Sequence, residues 1–344
     1  MNELLPLSGY AAKAIGTVLL VAFAGAFLVR KKILSDESLA ILSKLVFAMM
    51  LPCLLFSKVA RTVNLEMLQT HWILPLSCVL FVLAGLFLGW LMGLLCRVET
   101  RFHPLLMVAS SFGNASYIPI PLLAAVTLSF PVFAGRPDAQ AAGVSYISIF
   151  LIIYSPLLWT LGYKLLTGGQ NRGSRRLFDV LTPPIIGMAL GVLVGLIPFL
   201  RALFCVKTGV FSPILEAADI LGMAAVPCAL IVLGGKLAHG PGRGSFNKRT
   251  ILGVLSVKLV LLPLLAIGGL LLLSRVNLLP LDTICILVLV LEAASPPATN
   301  LAVICALGRN KEIEDNMASL LFWSYLAAIP SLAIVLVFTM WLFC

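Results

Sequence analysis

Charge is what this sequence has least of. Only 11% of its 344 residues are Asp, Glu, Lys or Arg, with 14 carboxylates and three histidines. His71, His103 and His239 show neither HxxxH nor HxxE spacing, so a zinc hydrolase has no ligand set and no metal is expected. The eight cysteines include no CxxC pair. They lie in or beside apolar runs and read as small buried hydrophobes rather than a disulfide or zinc framework. Period-two alternation is absent, which excludes a membrane barrel. No His/Ser/Asp cluster and no nucleotide-binding loop occurs, so neither an enzyme nor a cofactor is expected.

What the chain does have is apolar side chain, 61% of its residues, with a mean hydropathy of +1.09. One soluble core of this length could not bury so much. Lipid must solvate the surface, and at roughly 20 residues per span the length fits about ten transmembrane helices. We place them at 9–29, 38–57, 70–95, 104–129, 140–166, 180–200, 211–235, 249–273, 281–307 and 316–343. The first run is too long for a signal-peptide core and is followed by Arg30, Lys31 and Lys32, so a retained span is expected.

The net charge of +10 comes from Lys and Arg clustered between apolar runs, which speaks against nucleic-acid binding. Odd-numbered loops carry 15 of these cations and even-numbered loops 6. That asymmetry predicts cytosolic odd loops, with both termini lumenal or extracellular.

The two halves look related. Leu51-Pro52-Cys53 recurs as Val226-Pro227-Cys228, Leu74-Pro75-Leu76 as Leu262-Pro263-Leu264, and Pro156 answers Pro330. This predicts a five-helix repeat over 1–167, a short cytosolic linker over 168–178 and a second repeat over 179–344. Five spans is an odd number, so the repeats must insert upside down, a transporter architecture that holds its substrate at the midplane.

Two spans are broken. Span 4 holds Gly113-Asn114-Ala115-Ser116-Tyr117-Ile118-Pro119-Ile120-Pro121, and span 9 holds Ser295-Pro296-Pro297-Ala298-Thr299-Asn300. Proline removes a donor and clashes with the preceding turn, and the residue before proline avoids the α region. Backbone groups freed at this depth are tolerated only where protein or water satisfies them. A helix restarting after Pro297 is expected to expose the N–H groups of Ala298 and Thr299, a partly positive end that suits a carboxylate. Asn114 and Asn300 add amide donors, and Tyr117 could stack on a flat guest.

Ionisable groups inside apolar runs are functional candidates. Lys44 lies eight residues before Pro52 and Asp219 eight before Pro227. They read either as an ion pair or as a switching and charge-coupling device. Lys258 either snorkels to the cytosolic surface or takes part in coupling. Glu292, one turn before Ser295, is a candidate for the site or for proton coupling.

The segments from Pro183-Pro184 through Gly195-Leu196-Ile197-Pro198, Val226-Pro227-Cys228, Leu233-Gly234-Gly235-Lys236-Leu237 and Pro296-Pro297-Ala298-Thr299-Asn300 to Trp323-Ser324-Tyr325 resemble the PIN-LIKES group of the auxin efflux carrier family. Lys44-Leu45-Val46-Phe47 ahead of Pro52, and Gly113-Asn114 ahead of Pro119, resemble the wider family. The resemblance implies an all-α fold of ten helices in two inverted five-helix repeats, with helices 4 and 9 crossing at their breaks. It implies a scaffold of spans 1, 2, 6 and 7, often a homodimer face, and a moving unit formed by the rest. It implies carriage of auxin-like weak acids such as indole-3-acetic acid, in the endoplasmic reticulum membrane or, alternatively, the plasma membrane. Two departures bear on substrate: Tyr117 stands where the group carries a second Asn, and Glu292 where it tends to carry Gln. A dicarboxylate carrier of malate or malonate type, using Lys258 as second cation, and a non-transporting lipid or sterol sensor remain the rival expectations.

Overall fold

In the computed structural model the chain is described over residues 4–168, 182–241, 244–275, 282–307 and 310–343. Regular structure among the described residues is helical, apart from one isolated backbone bridge. Seven helices are long and apolar enough to cross a membrane. They are α1 (Leu4–Arg30), α2 (Asp36–Thr62), α3 (Ile73–Leu95), α6 (Ala139–Thr167), α9 (Ser212–Leu237), α10 (Lys248–Arg275) and α13 (Lys311–Phe343). The stretches expected as spans 4, 6 and 9 are built from shorter pieces. They are α4 (His103–Ser111) with α5 (Pro119–Ser129), α7 (Pro183–Leu196) with α8 (Pro198–Cys205), and α11 (Thr283–Ala294) with α12 (Asn300–Leu307). The α7–α8 pair turns through 108° at Ile197, which is extended because Pro198 follows it. Apart from Gly168, the expected linker at 168–178 lies outside the described residues.

Proline explains the local departures from α-helix. A π-helical turn, Val46–Met50, precedes Pro52, and another, Val257–Leu261, precedes Pro263. A third, Leu158–Gly162, follows Pro156. The first two absorb the hydrogen bond that the missing proline N–H cannot make, and all three long helices continue instead of ending.

Small residues set the packing, as expected where lipid supplies no hydrophobic drive between helices. Gly187 of α7 lies on the backbone of Pro52 and Gly222 of α9 on that of Leu54, so α2 is clasped from two sides. Gly25 of α1 and Gly234 of α9 meet the opposing backbone directly. Helices α1, α2, α7 and α9 thus group together. Around the rest, α3 takes α4 along Gly85 and Gly89, while α10, α11 and α13 pack on one another. At the centre is α11, every residue of which after Thr283 is buried. Its apolar character on all faces suits a helix that never meets lipid.

Candidate functional site

The two interrupted stretches meet. Gly113 and Pro297 form an antiparallel bridge, in which Asn114 N–H donates to the Pro296 carbonyl at 2.7 Å and Ala298 N–H donates to the Phe112 carbonyl at 2.9 Å. Each break therefore satisfies backbone groups of the other, which is how irregular backbone survives at this depth. The Tyr154 hydroxyl donates to the Gly113 carbonyl, and the Ser295 hydroxyl to the Leu291 carbonyl at 2.7 Å. Pro119 and Pro121 occupy the first turn of α5, where no N–H is needed, so they start a helix rather than break one.

This geometry corrects the expectation for Ala298: its N–H is consumed by Phe112 and offers a guest nothing. Helix α12 begins later, at Asn300. Among the described residues no backbone partner serves the N–H groups of Thr299 and Asn300, so the positive end of α12 is moved two residues onward.

The two asparagines are not equivalent. Asn114 is buried; its amide nitrogen donates to the Tyr325 hydroxyl, and its carbonyl accepts from the N–H groups of Ser116, at 3.3 Å, and Tyr117, at 2.7 Å. It caps the break from within. Asn300 is only half-buried, and its side chain makes no hydrogen bond among the described residues.

Beside the crossing lies a cavity of about 240 Å³, joined through shared walls to a smaller one of about 50 Å³. Asn114, Tyr117, Thr299 and Asn300 line both, together with Phe47 of α2 and Trp159 of α6. The larger is also lined by Lys44 of α2 and Lys236 of α9, and no acidic side chain lines either. Sequence reasoning missed Phe47 and Trp159, and counted Lys236 only as a loop charge. The available signal was the pair of basic positions near those ends of spans 2 and 7 that face the same side.

The remaining candidates lie elsewhere. Lys258 does not reach the surface: it is 1% exposed, and a Cβ on Gly113 would stand 2.7 Å from its ammonium nitrogen and 3.1 Å from the Ser295 carbonyl oxygen. It sits behind the crossing, where α4 and α11 end, and partial negative charge at helix C-termini suits a cation. Glu292 is likewise buried behind it, with Oε1 lacking a hydrogen-bond partner, close enough for the two charges to interact. Asp219 pairs with Lys58 at 2.8 Å and Arg61 at 3.7 Å and accepts from Ser57, not with Lys44. The reason is direction: Asp219, early in α9, meets the late part of α2, whereas Lys44, early in α2, shares a cavity with Lys236, late in α9. The two helices run antiparallel, so equal offsets before Pro52 and Pro227 point to opposite faces.

A family model described as "Membrane transport protein" matches residues 10–177 and 173–336. The chain is 26% identical to Protein PIN-LIKES 7 of Arabidopsis thaliana, over 94% of its own length and 95% of the relative. It is 26% identical to PIN-LIKES 5 of the same plant, covering 92% and 93%. To an uncharacterized transporter of Schizosaccharomyces pombe it is 23% identical, covering 93% and 92%. Matched nearly end to end, and carrying a lined cavity where two interrupted helices meet, the chain belongs to the membrane transport protein family and is a multi-pass relative of the PIN-LIKES proteins.

Proposed function

We propose that the protein is a carrier of amphipathic organic monoanions, with indole-3-acetic acid as the leading substrate. The observation that carries this reading is the cavity at the crossing. There the Asn300 amide and the N–H groups at the start of α12 face an aromatic wall of Phe47, Tyr117 and Trp159, with no carboxylate to repel an anion. A carboxylate takes the amide and backbone donors, and a flat apolar body fits against the rings. Tyr117 is half-buried and presents its ring to both cavities. Asn114 lines both cavities, whereas Pro119 and Pro297 line neither and act by shaping the backbone of the two breaks.

Alternating access by an elevator motion fits the packing. The glycine-clasped group of α1, α2, α7 and α9 would stay fixed, in inverted relation, while the unit carrying the crossing slides. The cavity runs from the crossing toward the face of Lys44 and Lys236. On the other face the Thr62 and Ser145 hydroxyls meet between α2 and α6, and Tyr10 and Phe130 close with ring centroids 5.6 Å apart. The conformation is thus open on one side. Placement in the endoplasmic reticulum membrane rests on the likeness to the PIN-LIKES group, and a homodimer through the fixed helices is part of the same reading. The dicarboxylate alternative relied on Lys258, which is buried behind the crossing and lines neither cavity.

The test is uptake by proteoliposomes of labelled indole-3-acetate against a panel of free acids and their methyl esters. Free monocarboxylic acids should compete and esters should not. Competition by malate alone, or by esters as well as by acids, would overturn the assignment.

A further inference from the structure

Lys44 and Lys236 come from two different helices of the clasped group, α2 and α9, and line the same cavity. Both side chains are exposed. Among the described residues neither is in an ion pair, and no acidic side chain shares the lining. Asp36, two turns before Lys44, contacts His239 at 3.0 Å. Lysine is costly beside lipid, and two of them at one mouth exceed what a single snorkelling anchor requires. A mouth walled by apolar side chains and lined by one sign of charge concentrates field lines and raises the local concentration of the opposite charge.

We propose that Lys44 and Lys236 are specificity-determining residues that capture the anion on one face of the membrane and hand it to Asn300. This rests on the carrier reading above and adds a direction to it. The lysines belong to the clasped group, whereas Asn300 belongs to the unit that carries the crossing. When that unit moves, the guest leaves the lysines behind. Their charge therefore assists loading from one side and plays no part in loading from the other.

The experiment uses the full chain in proteoliposomes, with labelled indole-3-acetate as probe and each face assayed separately. In the Lys44→Gln/Lys236→Gln double variant, KM for transport from the lysine face should rise about five- to tenfold, with Vmax unchanged. The dependence of KM on ionic strength should flatten at the same time. From the opposite face KM should be unchanged while Vmax falls by the same factor, because detailed balance fixes the ratio of Vmax/KM between the two faces. Lys44→Arg/Lys236→Arg should restore KM, and thermal melts verify that each variant folds; if the double variant does not, the two single Gln variants read the same effect in halves.

An unchanged KM with an unchanged salt response overturns the inference, as does an equal rise in KM from both faces. A fall in Vmax without a rise in KM from the lysine face overturns it too, since that marks a structural role. If the unaltered protein carries the anion and Asn300→Ala abolishes carriage while the lysine variants behave normally, only this inference fails. If the unaltered protein carries no monoanion, the carrier reading fails first.

Discussion

The amide nitrogen of Asn114 lies 2.5 Å from the hydroxyl oxygen of Tyr325, joining the break between α4 and α5 to the middle of α13. With its carbonyl side occupied by Ser116 and Tyr117, Asn114 spends most of its hydrogen-bonding capacity holding backbone. Asn300, which lines the same cavity, makes no side-chain hydrogen bond among the described residues. On the reading proposed above, a symmetric sequence feature has taken two separate roles.

Asn300→Ala should therefore raise KM for a carboxylate substrate by about 10- to 100-fold, the worth of a hydrogen bond to a charged group, with little loss of stability. Asn114→Ala should instead destabilise the protein by about 1–3 kcal/mol, through the orphaned N–H groups it now caps. Thermal melts alongside transport kinetics separate the two, and equal melting losses would refute the division of labour.

Gly113→Ala places a methyl group 2.7 Å from the Lys258 nitrogen and 3.1 Å from the Ser295 carbonyl oxygen, with the opposing break holding the backbone in place. Overpacking of this kind costs about 1–3 kcal/mol. The melting temperature should fall, and the losses from Gly113→Ala and Lys258→Met should combine less than additively, since both act on the same contact.

Glu292 and Lys258 are each buried behind the crossing, and no ion pair joins them among the described residues. Glu292→Gln or Lys258→Met alone should lower the melting temperature by disturbing that shared buried polar neighbourhood. The double variant should lie closer to the unaltered protein than the sum of the singles predicts. A double-mutant cycle by chemical or thermal unfolding measures this, and strict additivity would mean that the two groups are uncoupled.

Asp219→Asn should cost about 1 kcal/mol, since the cluster with Lys58, Arg61 and Ser57 is partly solvated. Combined with Lys58→Met its effect should be less than additive, and combined with Lys44→Met additive, as read from melting temperatures.

The breaks were legible because the prolines come in close pairs, Pro119 with Pro121 and Pro296 with Pro297, beside Gly or Asn, whereas single prolines such as Pro156 and Pro330 stay inside continuous helices. That they pair with each other was not, since backbone bonding between residues 113 and 297 leaves no local pattern. The same limit misdirected Ala298, whose N–H looked free only while its partner Phe112 was unknown. Hydropathy located Lys258 in an apolar run but could not say whether that depth faced lipid or protein. Counting residues from a proline likewise matched Lys44 with Asp219 while ignoring that antiparallel helices carry equal offsets to opposite ends. The bend at Ile197 was written in Pro198, yet the apolar content of 180–200 masked it.

The backbone stitch between the breaks also sets a timetable for biogenesis. At about 5–20 residues per second, the ribosome needs roughly 10–40 s to reach Ala298 after Phe112 has been made. Throughout that interval the first break sits in the translocation machinery or the bilayer with the Phe112 carbonyl and the Asn114 N–H still waiting for partners. The first half cannot mature alone, and whatever shelters its bared peptide groups until the second half arrives is as necessary to the finished carrier as any residue in the cavity.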